Sequence, residues 1–203
     1  MILAIGLCAL TSPPLRGVVL IQVDVSNPEA VVFTATGNAP LVLNEATRLF
    51  QGVILQDFFP AGSNQGEGFT EEVFATNSAL GPTNDSGDFI PYDIALITPG
   101  SPDLEIAHAG RFGGAYQIFD PASAAFSGSL ILDLSDYMLP SAGAIGPIST
   151  DSFLAEDFSF GEPDIIGQWQ VIPEPRFYGA LFGLISPAWV VSRRRRQSGR
   201  ICG

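Results

Sequence analysis

The chain has 203 residues with a formal net charge of −12 at pH 7, and it contains no lysine. Between residues 18 and 172 lie twenty of its twenty-one acidic residues but only two of its nine arginines. So acidic a body repels anionic lipid and excludes nucleic-acid binding, because neutralising phosphates requires Lys or Arg.

The first seventeen residues resemble a secretory signal peptide. An apolar run covers Ile2–Leu10, and the helix-breaking segment Thr11-Ser12-Pro13-Pro14 follows it. No positive charge precedes the run and no A-x-A site follows it, although cleavage after Gly17 is conceivable. We therefore expect the signal to begin further upstream; the alternative is that the run forms a buried first strand.

Residues 18–170 are predicted to form a single all-β domain, a β-sandwich or jelly roll. Short segments rich in β-branched and aromatic residues recur about every ten to twenty residues between clusters of Gly, Pro, Asn and Asp. One helix is predicted over Asn44–Phe50, with Asn44 as its N-cap. The predicted strands are Val18–Val25, Val31–Thr36, Gly52–Phe59, Phe69–Thr76, Asp88–Ile97, Leu104–Ala107, Ala115–Phe119, Ser129–Leu134, Ser152–Phe160 and Ile165–Ile172.

Few residues of this domain offer nucleophilic or metal chemistry. Cys8 and Cys202 both lie outside it, so it has no cysteine nucleophile and no CxxC metal site. His108 is the only histidine, and no G-x-S-x-G elbow accompanies it, which favours a surface residue over the base of a serine hydrolase. A zinc site needs several His or Cys ligands. We therefore predict no cofactor.

Carboxylates are the remaining source of acid–base or metal chemistry. Glu71 and Glu72 are adjacent, as are Glu156 and Asp157, so on a strand each pair faces opposite sides. A glycosidase can still assemble its two carboxylates from distant strands. The segment Asn84–Asp88 is rich in oxygen ligands, but it lacks the spacing and distal Glu of an EF-hand, so an Asx-rich turn is the alternative to calcium.

The fifteen phenylalanines bear on a further alternative. Several cluster, at Phe58-Phe59, at Phe69 and Phe74, and at Phe153, Phe158 and Phe160; at alternating positions such as Phe158 and Phe160 they are predicted to lie in the core. Aromatic rings exposed on one outer face would instead indicate a secreted glycan-binding module.

The C-terminal residues combine three features in order. Pro173-Glu174-Pro175 is held extended by its prolines, because proline disfavours helix in the residue before it. An uncharged stretch, Phe177–Val191, comes next; as a helix it is roughly 22 Å long, short of the ~30 Å hydrocarbon core. Ser192 and snorkelling arginines extend its reach, which predicts a transmembrane helix over 177–192, kinked by Pro187.

The third feature is a run of four consecutive arginines after the apolar stretch. Such a run stops translocation and places the C-terminus in the cytoplasm. The predicted stop-transfer residues are Arg193, Arg194, Arg195 and Arg196.

Two interpretations of this tail stay open from the residues alone. It is either a protease-accessible motif held at a membrane face or a plain C-terminal anchor whose prolines start the helix. The arrangement resembles the PEP-CTERM sorting domain of Gram-negative bacteria, over residues 171–196. The resemblance implies export and recognition of Pro173, Glu174 and Pro175 by an exosortase, an integral-membrane cysteine transpeptidase-like enzyme.

The same resemblance implies a route for the protein before and after that recognition. The precursor is anchored in the inner membrane with residues 197–203 in the cytoplasm, the tail is removed, and the domain reaches the envelope, outer surface or extracellular matrix. We therefore expect a non-catalytic matrix protein with exopolysaccharide or other matrix components as partners. The alternative is a glycan-binding module or carbohydrate-active hydrolase that carries the same tail.

Overall fold

The computed structural model describes residues 17–42, 52–62, 69–84, 87–109, 117–150, 153–154, 159–160 and 164–172. Over these residues the chain is all-β, which confirms the predicted class, and a 3-10 turn at Pro28–Ala30 is their only helical element. The strands are β1 (Val19–Asp24), β2 (Val31–Ala35), β3 (Gly52–Leu55), β4 (Glu71–Phe74), β5 (Asn77–Ser78), β6 (Thr83–Asn84), β7 (Ile94–Ile97), β8 (Leu104–Ala107), β9 (Gln117–Ile118), β10 (Ser129–Leu132), β11 (Ile145–Thr150), β12 (Phe153–Leu154), β13 (Ser159–Phe160) and β14 (Ile165–Val171).

Ten of these strands form one curled sheet in the order β4-β7-β8-β3-β11-β14-β1-β2-β10-β5. All neighbours in it are antiparallel except β14 and β1, which run parallel. Two small sheets, β6–β9 and β12–β13, complete the described structure. In chain order β1 is the first strand of this sheet and β14 the last. Their parallel pairing therefore brings the beginning and the end of the described domain together at the middle of the sheet.

The two outermost strands of the sheet, β4 and β5, are consecutive in the chain. Only Ala75 and Thr76 separate them. The Ala75 N–H donates to Asp93 O on the β7 side, at 2.8 Å, and the Thr76 N–H donates to Ile131 O on β10, at 3.0 Å. This two-residue segment therefore makes hydrogen bonds next to both edges of the sheet and brings the two edges together.

The core lies inside the curl and is formed by side chains from eight of the ten strands. On each strand alternate side chains point inward, as β geometry requires. An aromatic group stands at the centre: the Phe58 ring lies 5.7 Å from Phe33 and 5.3 Å from Trp169, centroid to centroid, and all three are fully buried. Burial of such large apolar groups is the main stabilising contribution to the fold.

β11 is a central strand that contains Pro147, which is unusual because proline has no N–H for the ladder. The Gln56 N–H donates to Pro147 O at 3.0 Å, so an ordinary residue at 147 would return a bond to Gln56 O. Trp169 makes that bond instead, with its indole Nε1 3.0 Å from Gln56 O. Gly146 leaves room for the ring, since a Cβ there would lie 2.6 Å from the indole nitrogen.

Each predicted strand segment contains an observed strand, but the sequence-based prediction missed β5, β6 and β11. Several predictions lie outside the described residues: the signal-like segment 1–16, the helix over 44–50, the pair Glu156-Asp157 and everything from residue 173 on. Within the described ranges no helix is long and apolar enough to cross a membrane.

Candidate functional site

The predicted sorting motif begins directly after the last strand. β14 lies between β11 and β1, and its final residue, Val171, is fully buried. The Val171 N–H donates to Ala144 O at 2.8 Å, and the Ile172 N–H donates to Val23 O at 2.9 Å. The tail is thus connected to the most internal part of the sheet. Outside the described residues lie the motif itself and the predicted stop-transfer residues: Pro173, Glu174, Pro175, Arg193, Arg194, Arg195 and Arg196.

A cleft of about 440 Å³ opens between two loops at one end of β3 and β8. The loop that follows β3, residues 57–62, forms one wall, and the turn that precedes β8, residues 100–102, forms the other. The Phe59 N–H donates to Pro102 O at 2.7 Å and ties the loops together. The cleft therefore has fixed walls made largely of backbone and proline.

Asp57 lies in the left-handed region, with φ of +54°, and it is the only non-glycine residue with positive φ among those described. That conformation is costly for a residue with a side chain, and Asn and Asp tolerate it best. The Asp57 N–H donates to Asp103 Oδ1 at 2.8 Å, and the Asp103 N–H donates to Ser101 Oγ at 3.2 Å. These bonds hold the exposed Asp57 at the cleft, and its carboxylate accepts no hydrogen bond from a described residue.

A second, shallower depression of about 120 Å³ lies on the outer surface of β3, β7 and β8. Ser101 lines both. Beyond it the depression presents the Thr98 hydroxyl and the carboxylates of Asp103 and Glu105, with Ile54 and Leu96 at its floor. The depression therefore combines polar side chains with apolar ones.

Phe69 lies two residues before β4 and is 97 % exposed. In the β4–β7 ladder Glu71 pairs with Ile97, and the ladder's register continues outward, because the Thr70 and Thr98 hydroxyl oxygens are 3.2 Å apart. The sequence does not indicate this exposure. Phe69 begins a predicted strand and belongs to the clustered phenylalanines, for which core positions are expected.

His108 lies beside Asp93, with Nδ1 3.5 Å from Oδ2 and each side chain 31 % exposed. The nitrogen is buried yet has no hydrogen-bond partner, so the contact has ion-pair distance without hydrogen-bond geometry. Asp93 Oδ1 accepts the Ala109 N–H instead. Among the described residues no serine hydroxyl bonds the imidazole, and the structure does not assemble a Ser–His–Asp arrangement from them.

The two adjacent glutamates of β4 have different surroundings. Glu71 accepts a hydrogen bond from the Tyr137 hydroxyl, and the Tyr137 ring packs 5.5 Å from Phe59. Partial burial and the nearby Glu71 carboxylate raise the pKa of Tyr137. Glu72 instead pairs with Leu96 across the ladder. The hydrogen bond between Glu71 and Tyr137 therefore links the edge strand β4 to the segment that follows β10.

A second polar group missed by the sequence-based prediction is fully enclosed. The Tyr92 hydroxyl donates to Gln117 Oε1 at 2.8 Å, and Gln117 Nε2 donates to Gly52 O at 2.7 Å. Burial raises the pKa of Tyr92 well above its usual value. The tyrosine hydroxyl and both ends of the glutamine amide have partners, so the group stabilises the core and offers no reactive centre.

The oxygen-rich segment considered for calcium is only partly described. Asn84 ends β6, which pairs with β9, and Gly87 turns the chain with φ of +84°. Over the described ranges no three His, Cys, Asp or Glu side chains group closely enough to hold a metal ion.

No family model, no curated protein and no solved structure matches this chain.

Proposed function

We propose that the chain is an exported, non-catalytic protein of the cell envelope or extracellular matrix, sorted by an exosortase through its C-terminal tail. The observation that carries the proposal is the order of three tail parts directly after β14. They are Pro173-Glu174-Pro175, the apolar stretch Phe177–Val191 and Arg193–Arg196. Each part has a separate physical role in presenting the chain to a membrane enzyme.

The proposed organisation has four parts. Residues 1–17 direct export, and residues 18–170 form the acidic ectodomain as a β-sandwich or jelly roll. Residues 171–196 are the sorting signal, with a transmembrane helix over 177–192, and residues 197–203 stay in the cytoplasm. The helix holds the motif at the face of the inner membrane that points away from the cytoplasm. The arginines stop translocation because moving them into hydrocarbon is costly.

The end of the domain supports processing at this position. Val171 and Ile172 make the last backbone hydrogen bonds of the sheet, and the motif starts at the next residue. An enzyme that removes the tail from residue 173 on takes no residue of β14, so both of its ladders stay complete. The domain is released folded, and its own residues take no part in the chemistry of cleavage.

Intact mass tests the proposal directly. The protein is expressed in an exosortase-bearing host, and its mass is measured in the envelope and in the medium. The parent chain is expected to lose about residue 173 onward, whereas a variant with Pro173, Glu174 and Pro175 all changed to Ala keeps its tail in the membrane. A matched control replaces Gln197, Ser198 and Gly199 with Ala; it lies beyond the arginines and is processed like the parent.

The same comparison can contradict the proposal. If parent and motif variant both keep the full tail in the membrane, the segment is a plain anchor. If both lose it equally, cleavage does not depend on the motif.

A further inference from the structure

The last residues of β14 are fixed in the sheet on both sides of the strand. Val171 donates its N–H to Ala144 O at 2.8 Å, and its carbonyl accepts the Gly143 N–H at 3.1 Å. On the opposite side the Ile172 N–H donates to Val23 O at 2.9 Å. The Val171 side chain is fully buried in the core. The backbone is therefore occupied up to the last residue before the predicted sorting motif.

The motif itself offers an enzyme few backbone donors. Proline has no N–H, so within Pro173-Glu174-Pro175 only Glu174 carries one. Recognition of an extended chain depends on main-chain hydrogen bonds made along several residues. An enzyme that holds the chain in this way has to pair with residues on the N-terminal side of the motif. Those residues, Val171 and Ile172, are already bonded within the sheet.

We propose that the docked end of β14 is an autoinhibitory contact, which opens at Val171 and Ile172 before the membrane enzyme cleaves the tail. The open form is a minor one, because it gives up the three backbone hydrogen bonds described above and exposes an apolar side chain. Cleavage of a transiently open form follows the population of that form. The contact therefore sets the rate of processing, and it forms again in the released domain. The proposal rests on the proposed function, since it concerns the same cleavage.

A pair of insertions at the two ends of the motif tests the contact. The flexible segment Gly-Ser-Gly-Ser-Gly-Ser is placed between Ile172 and Pro173, where it separates the motif from the sheet and leaves β14 complete. The matched control carries the same segment between Arg176 and Phe177. There it widens the gap between domain and membrane equally, but the motif stays next to Ile172.

The rate of processing is the quantity that the insertions should change. It is followed by intact mass at successive times after a pulse of synthesis in an exosortase-bearing host. We expect the insertion before Pro173 to speed loss of the tail roughly 10-fold or more, because the enzyme then reaches the motif without opening the sheet. The control insertion should be processed at the parent rate.

Two valine substitutions separate local opening from global unfolding. Val171→Ala removes the buried side chain that holds the strand end, so it should speed processing roughly 5-fold or more. Val53→Ala is the matched control, because Val53 is equally buried but lies on β3, which β11 separates from β14. Both substitutions lower the free energy of unfolding, measured with urea, but the control should be processed at the parent rate.

Hydrogen exchange of the purified full chain in detergent measures the contact without the enzyme. The Val171 and Ile172 amides should exchange at least about 10-fold more slowly than the same amides in an unfolded peptide. Both insertion variants should keep this protection, since neither changes a residue of β14. Val171→Ala should raise the exchange rate of the Ile172 amide.

Several results would overturn the proposal. They are unprotected amides at Val171 and Ile172, processing that neither insertion speeds, and equal acceleration by the two insertions or by the two valine substitutions. Failure of this contact alone leaves the parent processed and the variant with an all-alanine motif unprocessed. Failure of the sorting proposal shows instead as a parent and a motif variant that behave alike, so the two failures are distinguishable.

Discussion

Replacing Trp169 with Phe should test how the sheet accommodates a proline in a central strand. The substitution keeps an aromatic ring against Phe58 but removes the indole N–H that lies 3.0 Å from Gln56 O. A part-buried carbonyl left without a donor costs about 1–3 kcal/mol. The smaller ring loses about 1 kcal/mol of burial and packing. We expect the free energy of unfolding to fall by about 2–4 kcal/mol.

The decisive measurement is the double variant with Pro147→Ala. Alanine at 147 restores a backbone N–H directed at Gln56 O, so in the Trp169→Phe background it should recover about 1 kcal/mol. In the parent chain the same change meets a carbonyl that already has a donor. It should cost about 0.4–1 kcal/mol there, because the unfolded chain gains freedom. The two changes are therefore expected to be non-additive by more than about 1 kcal/mol.

Urea unfolding followed by far-ultraviolet circular dichroism measures all four chains, since Trp169 is itself a fluorescence reporter. Additivity within about 0.5 kcal/mol, the usual result for independent sites, would refute the exchange of donors. Gly146→Ala gives an independent check: its Cβ would stand 2.6 Å from Gln56 O and 2.6 Å from the indole nitrogen. It should break the same hydrogen bond and destabilise the sheet by a similar amount.

Two further predictions concern the backbone and the buried tyrosine. Gly128 and Gly37 have φ of +77° and +76°, but a Cβ at Gly128 would lie 1.9 Å from Ala79 O while one at Gly37 meets nothing within 4 Å. Gly37→Ala should thus cost about 1–2 kcal/mol and Gly128→Ala several times more; equal urea midpoints would contradict the contact. Burial raises the pKa of Tyr92 above its usual 10.0, so the folded chain holds that proton more tightly than the unfolded chain. The contribution of Tyr92 is then complete below about pH 10 and falls above it by about 1.4 kcal/mol per pH unit; Tyr92→Phe should remove this share of the slope and leave the share of Tyr137, whose pKa is also raised, and a slope unchanged between about pH 9 and 12 would refute the assignment.

Many of the strands can be predicted from local sequence, because segments rich in β-branched residues favour the strand conformation. Val19–Asp24 and Ser129–Leu132 are rich in Val, Ile and Leu and end in polar turns, and both form strands where predicted. β11 escaped prediction because Gly146-Pro147 is typical of a turn. Its strand form depends on Trp169, which is remote in the chain, so no local rule identifies it.

The cleft was hidden for a related reason. The predicted strand continued through Phe59, whereas the chain leaves β3 after Leu55 and reverses at Asp57. Asp tolerates the left-handed conformation but is common in other conformations too, so Asp57 alone does not identify the turn. Its conformation is set by the Asp103 carboxylate, forty-six residues further along the chain, and that pairing exists only once β3 and β8 have met.

The position of β14 also determines how the domain bears a mechanical load. A pull on the tail at Ile172 acts along a strand that has β11 on one side and β1 on the other. Its ladder bonds lie across the strand, so the pull shears both ladders together instead of opening them one bond at a time. Sheared bonds share the force and yield only at high tension. A domain loaded through its central strand is thus suited to keep its fold under tension.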